Sequence, residues 1–171
     1  RYNYGVKLGV SFLADKNKFE NRISIKIYLE GNLPAEIQHF RNALEDKLMV
    51  LDTALTALIE DLQASGLLKK TLIVITTDFG RTPIINVNDG RDHHPGVWTI
   101  LMGGGPIKGG RVVGESDELG YAPKTRPVLP GEVAATLFKA FNLDPHHELP
   151  GPQGRPMPLV DFNLNPIREL F

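Results

Sequence analysis

The residues with the most chemical reach lie in two short segments. Asp78-Phe79-Gly80-Arg81-Thr82-Pro83 follows directly on an apolar run, and Gly90-Arg91-Asp92-His93-His94-Pro95 precedes another. A carboxylate at a strand end can be aimed into a crevice by a rigid sheet. Imidazole and carboxylate are the donor set for zinc, iron, manganese or, through carboxylates, calcium when thiolate is lacking. The 171 residues include no cysteine, which removes disulfides, thiolate catalysis and Cys-ligated zinc together.

Asp78, Asp92, His93 and His94 are therefore the candidate metal ligands. Adjacent side chains diverge in an extended segment, so one of His93 and His94 is expected to ligate and the other to support it. Arg81 and Arg91 are candidates to hold phosphate or sulfate oxygens as bidentate donors. Each feature also has a plainer reading: Asp78 capping a turn with Arg81 beside it, and the His-His pair in a polar surface turn. His146-His147 has nothing catalytic beside it in sequence and receives no role. Thr77 and Ser116 show no activating partner, so no nucleophile is assigned. Gly103-Gly104-Gly105-Pro106-Ile107-Lys108-Gly109-Gly110 lacks the G-x-G-x-x-G order of a dinucleotide cradle and reads as tight packing of a loop.

The elements that must position these residues follow from periodicity. Ile23, Ile25, Ile27 and Leu29 alternate as in a half-buried strand near a sheet edge. After Pro34, apolar residues recur at spacings of three and four (Ile37, Phe40, Leu44, Leu48, Leu51, Leu55, Leu58, Leu62), which predicts one long helix stopped at Ser65-Gly66. Thr71 to Thr77 is apolar and β-branched without alternation, the pattern of a strand covered on both faces. Val97 to Met102 predicts a second such strand, and Pro130-Gly131-Glu132 opens a helix to Leu143. A proline-rich tail from Asp144 is expected to wrap the surface in extended form. The order predicts a single α/β domain over residues 1–171, with a mostly parallel sheet flanked by helices. Within it residues 1–32 are of unclear affiliation, residues 33–145 form the core and residues 146–171 the tail. Sites in such sheets lie beyond the carboxyl ends of strands.

Composition narrows the partners. Nineteen Lys and Arg offset twenty Asp and Glu, for a formal net charge of −1, so electrostatic capture of nucleic acid has no support. No run of about 18 apolar residues exists to span a bilayer. A small anionic ester or a protein partner is the expectation, within an oligomer or a larger parent chain, since the chain opens at Arg1 on a strand-like stretch.

The ordered combination of these motifs resembles the C-terminal part of the alkaline phosphatase and sulfatase superfamily, and most closely its bacterial sulfatase-like branch of uncharacterised proteins. The resemblance covers roughly residues 40–145. It rests on Asp78 to Pro83, Gly90 to Pro95, Gly103 to Gly110, Leu51-Asp52-Thr53-Ala54-Leu55 and Pro130 to Thr136. It implies an alkaline-phosphatase-like fold, here an incomplete portion. It also implies a metal-dependent hydrolase of phosphate or sulfate esters, with Asp78 and His93 or His94 at ligand positions and export to the bacterial periplasm. Phe79 stands where metal-rich members have His, and Leu33-Pro34-Ala35-Glu36 stands where the branch has Trp-Asp-x-His. These departures carry the alternative, a non-catalytic scaffold or partner-binding module derived from that fold.

Overall fold

The computed structural model describes residues 7–13, 22–28, 35–88 and 90–171, with residues 7–13, 22–28, 35–41 and 43 described by backbone alone. The first two stretches form a hairpin, β1 (Lys7–Leu13) against β2 (Arg22–Tyr28), antiparallel from Lys7 opposite Tyr28 to Leu13 opposite Arg22. The alternating run at residues 23–29 is thus a strand up to Tyr28, and Leu29 lies outside the described residues.

The long helix forms where its spacing predicts, as α1 (Ala35–Ala64). It stops at Gly66, whose φ of 74° is open to a residue without Cβ, and one 3₁₀ turn (Leu67–Lys70) follows. The apolar stripe is narrower than expected. Leu55 is buried, but Leu51 and Leu58 are 41% and 48% exposed. The less exposed line runs through Leu48, Asp52, Leu55, Ile59 and Leu62. Ile37 and Phe40 lie among the residues described by backbone alone.

The expected parallel sheet is not what forms. β3 (Leu72–Ile75) pairs with β6 (Leu101–Gly104) in antiparallel register, Leu72 opposite Gly104 and Ile75 opposite Leu101. A parallel return needs a crossover of a dozen or more residues, usually a helix. The described residues between 76 and 100 hold no helix and instead fold back through β4 (Gly80–Arg81) and β5 (His93–His94). Nor is β3 covered on both faces, since all four of its residues are half-buried. The second strand starts four residues later than the apolar run at Val97 and ends inside the glycine run. There Gly104 has φ of 75°, and a Cβ at that position would fall onto the Thr71 carbonyl oxygen, so close packing is seen at Gly104, while a Cβ at Gly103, Gly109 or Gly110 would meet nothing within 4 Å.

Among the described residues every sheet is a two-stranded antiparallel pair. The α/β architecture with a mostly parallel, helix-flanked sheet is therefore replaced by two α-helices and small antiparallel ladders. β7 (Glu115–Ser116) pairs with β8 (Pro123–Thr125), α2 covers Pro130–Ala140, and β9 (Glu148–Pro150) pairs with β10 (Pro156–Pro158). No described helix is long and apolar enough to cross a membrane.

The tail does more than wrap the surface. Ala135 and Thr136 of α2 are fully buried, and Val160 and Ile167 of the tail are buried as well. The Ile167 amide donates to Thr136 Oγ1 at 2.9 Å, and the Lys108 amide donates to the Leu170 carbonyl at 2.8 Å. Pro150, Pro156 and Pro158 lie in the β9–β10 ladder, while Val160 and Ile167 supply buried apolar contacts.

Candidate functional site

The segment that follows β3 turns by local hydrogen bonds. Thr77 Oγ1 donates to the Phe79 carbonyl at 2.8 Å, and Asp78 Oδ1 accepts the Phe79 amide at 3.0 Å. The chain then enters β4, which pairs antiparallel with β5, Gly80 opposite His94 and Arg81 opposite His93. The loop between them is closed by Thr82 and Asp92. The Thr82 amide donates to the Asp92 carbonyl and the Asp92 amide donates to Thr82 Oγ1, both at 3.0 Å. Asn86 organises the tip: its Oδ1 accepts the amides of Asn88 and Gly90, and its Nδ2 donates to Asp92 Oδ1 at 2.8 Å.

All six residues singled out from the sequence thus sit on one hairpin or at its foot. Arg81 and His93 are cross-strand neighbours, and both lie against Phe79. The His93 ring stacks on Phe79 with centroids 3.8 Å apart, and the Arg81 guanidinium carbon is 5.4 Å from the Phe79 centroid. Arg81 also donates to the Arg91 carbonyl at 3.2 Å. His94 turns to the other side, where its Nε2 lies 2.8 Å from the Tyr121 carbonyl. A carbonyl only accepts, so Nε2 carries the proton and is no metal donor in this state. Burial pulls the Arg91 guanidinium below its ordinary pKa.

Asp78 and His93 keep donor capacity. The second carboxylate oxygen of Asp78 and both ring nitrogens of His93 make no hydrogen bond to a described residue. Both side chains are exposed. A carboxylate oxygen and an imidazole nitrogen fit as donors to a divalent cation. Asp92 and His94 are each held through one atom, Oδ1 by Asn86 and Nε2 by Tyr121, which leaves Asp92 Oδ2 and His94 Nδ1 with lone pairs, and no cluster of three or more His, Asp or Glu suited to a metal occurs among the described residues.

Sequence reasoning missed Asn86 and Tyr121, which lock the loop and one histidine. The Asn86-to-Gly90 spacing, with Gly closing a turn begun by Asn, is the signal for the first; a backbone carbonyl acceptor such as that of Tyr121 leaves none.

A second charged group lies at the start of α2, beside a cavity of about 450 Å³ bordered by Arg126, Glu132 and Glu169. Arg126 has φ of 43° and donates to Glu169 at 2.9 and 3.4 Å and to Glu132 at 2.9 Å. The other oxygen of Glu132 accepts the Leu129 amide at 2.9 Å, capping the helix. The hydrogen bond from Arg126 holds the Glu169 carboxyl below its ordinary 4.5. A depressed carboxyl contributes stability above its unfolded pKa, and that contribution is lost as pH falls through the folded value. The Tm gap between wild type and Glu169→Gln is therefore expected to be full above the ordinary carboxyl value of 4.5 and to narrow progressively as pH falls below it. Thermal melts across that range check it, and parallel curves would contradict the assignment.

Neither the curated proteins nor the solved structures include a match to the chain. The antiparallel strand pairs, and a family match that is neither a sulfatase nor an alkaline phosphatase, overturn the resemblance to that superfamily. Residues 38–171, most of the chain, match the family described as protein of unknown function, DUF1501, and the chain belongs to that family.

Proposed function

We propose that this domain takes part in metal-dependent hydrolysis of an anionic ester, a phosphate or a sulfate. In this reading Asp78 and His93 are donors to a zinc, iron, manganese or calcium ion, and Arg81 contacts the ester oxygens. The observation that supports it is the pairing of Arg81 with His93 across β4 and β5, both against Phe79, with the Asp78 carboxylate at the foot of the same hairpin. The metal would polarise an ester oxygen or lower the pKa of a water. Arg81 and the partly buried Arg91 would supply fixed positive charge for the anion.

Metal content after equilibration with each ion, followed by assay on aryl phosphate and aryl sulfate esters, tests the reading. Asp78→Ala and His93→Ala are each expected to weaken metal binding by on the order of tenfold or more. Metal-free protein with unaltered melting in both variants would sink it in favour of a second reading, a non-catalytic partner-binding module. That second reading is favoured by the internal engagement of His94 with Tyr121 and of Asp92 with Asn86.

A further inference from the structure

The long helix carries an apolar face apart from its less exposed line. Each residue of an α-helix advances about 100° around the axis, so Val50, Leu51, Ala57 and Leu58 of α1 all lie within about 60° of Ala54. Lys47 and Asp61 fall in the same band, one at each end. The line through Leu48, Asp52, Leu55, Ile59 and Leu62 is about 120° away. Every residue of the band is exposed, Val50 by 71%, Leu51 by 41% and Leu58 by 48%. Positions 47, 51, 54, 58 and 61 alternate spacings of four and three, the repeat of a two-stranded helical seam. Single exposed leucines are ordinary, whereas a contiguous apolar strip with a polar rim marks an interaction surface.

We propose that this face of α1 packs against the same face of a second copy of this chain, antiparallel about a two-fold axis at Ala54. The face is complementary to itself in size and in charge, which favours a second copy over an unrelated partner. Ala54 meets Ala54, and two such small side chains let the helix axes approach to about 8 Å. Val50 meets Leu58, and Leu51 meets the small Ala57. At the ends of the strip Lys47 of each copy meets Asp61 of the other, so the axis generates two opposite-charge pairs. All seven positions belong to one continuous helix, Ala35–Ala64, so its constant rise of about 1.5 Å per residue fixes their register. A parallel pairing would set Lys47 against Lys47 and Asp61 against Asp61, so charge selects the antiparallel one. A net charge of −1 leaves no long-range repulsion between copies. The inference stands apart from the metal reading and is tested in metal-free buffer.

Sedimentation equilibrium on the whole chain is the experiment, with far-UV circular dichroism to confirm that each variant stays folded. Wild type is expected to dimerise reversibly. Lys47→Glu turns two attractions into two repulsions and should raise the dimer Kd about tenfold. Lys47→Glu combined with Asp61→Lys reverses both pairs and should restore the wild-type Kd. Ala54→Glu brings two carboxylates together on the axis and should raise Kd about a hundredfold or more. Met49→Glu, at a residue 68% exposed on another side of α1, should leave Kd unchanged. A monomer at concentrations up to about 100 μM, which is also how a different protein or another segment of this chain on the face would show itself, overturns the proposal. So does a dimer indifferent to Ala54→Glu, one weakened equally by Met49→Glu, or one that the double charge exchange fails to restore.

Discussion

Gly80→Ala is expected to open the β4–β5 hairpin and destabilise the protein by about 3 kcal/mol. A Cβ at residue 80 would fall onto the Val97 carbonyl oxygen, with the His94 carbonyl oxygen and the Val97 carbonyl carbon each 3.0 Å away. All three are backbone atoms, so no side chain can swing aside and the two segments must separate. Separation breaks the Gly80–His94 and Arg81–His93 pairing, and with it the stack of Arg81 and His93 on Phe79. For a chain of this size the corresponding fall in Tm is about 6–12 °C. Gly109→Ala is the control, since a Cβ there meets nothing within 4 Å. Denaturant unfolding and amide exchange at residues 80–81 and 93–94 check the result. A Gly80→Ala protein with wild-type midpoint and protection would show that the close approach to Val97 does not hold the hairpin together.

Gly80 shows what was legible in the sequence and what was not. Its constraint is the approach of backbone at Val97 and His94, which no local pattern in the sequence reports. The helices were readable because α1 and α2 carry local signals: period-3.6 apolar spacing, Pro34 before the first, Gly66 after it, and Pro130 with Glu132 at the second. Strand direction was not readable. The run Thr71–Thr77 is apolar on both faces whichever way its neighbour runs, and the deciding fact is that the described residues between 76 and 100 return without a helix. Among the site residues, Asp78, Arg81 and His93 were expected together at the ends of two parallel strands, whereas here they share an antiparallel hairpin or its foot. The separation of His93 from His94 followed from strand alternation. What each histidine meets depends on Phe79 and on the Tyr121 carbonyl 27 residues away, and no local pattern reports a contact of that span.

The tail is the clearest case of a contact hidden from sequence, and Thr136 is where it can be measured. Thr136 is fully buried; its Oγ1 donates to the Glu132 carbonyl at 2.6 Å and accepts the Ile167 amide at 2.9 Å. Valine has nearly the same shape but no oxygen. Thr136→Val therefore leaves the Ile167 amide unpaired at a residue only 4% exposed. An orphaned buried donor costs about 1–3 kcal/mol, and we expect about 2 kcal/mol with a Tm fall of about 4–8 °C. Thr136→Ser keeps the oxygen and loses one methyl, for about 0.8 kcal/mol. The order of the two variants separates a hydrogen-bond effect from a packing effect. In the valine variant the Ile167 amide should also exchange faster, whereas the Leu170 amide should change little, because the residues beyond Ile167 are held by the Arg126–Glu169 pair and by the bond between Lys108 and Leu170. A valine variant as stable as wild type, or a serine variant equally weakened, would mean that the tail is anchored by apolar burial alone and that the Thr136 oxygen is dispensable.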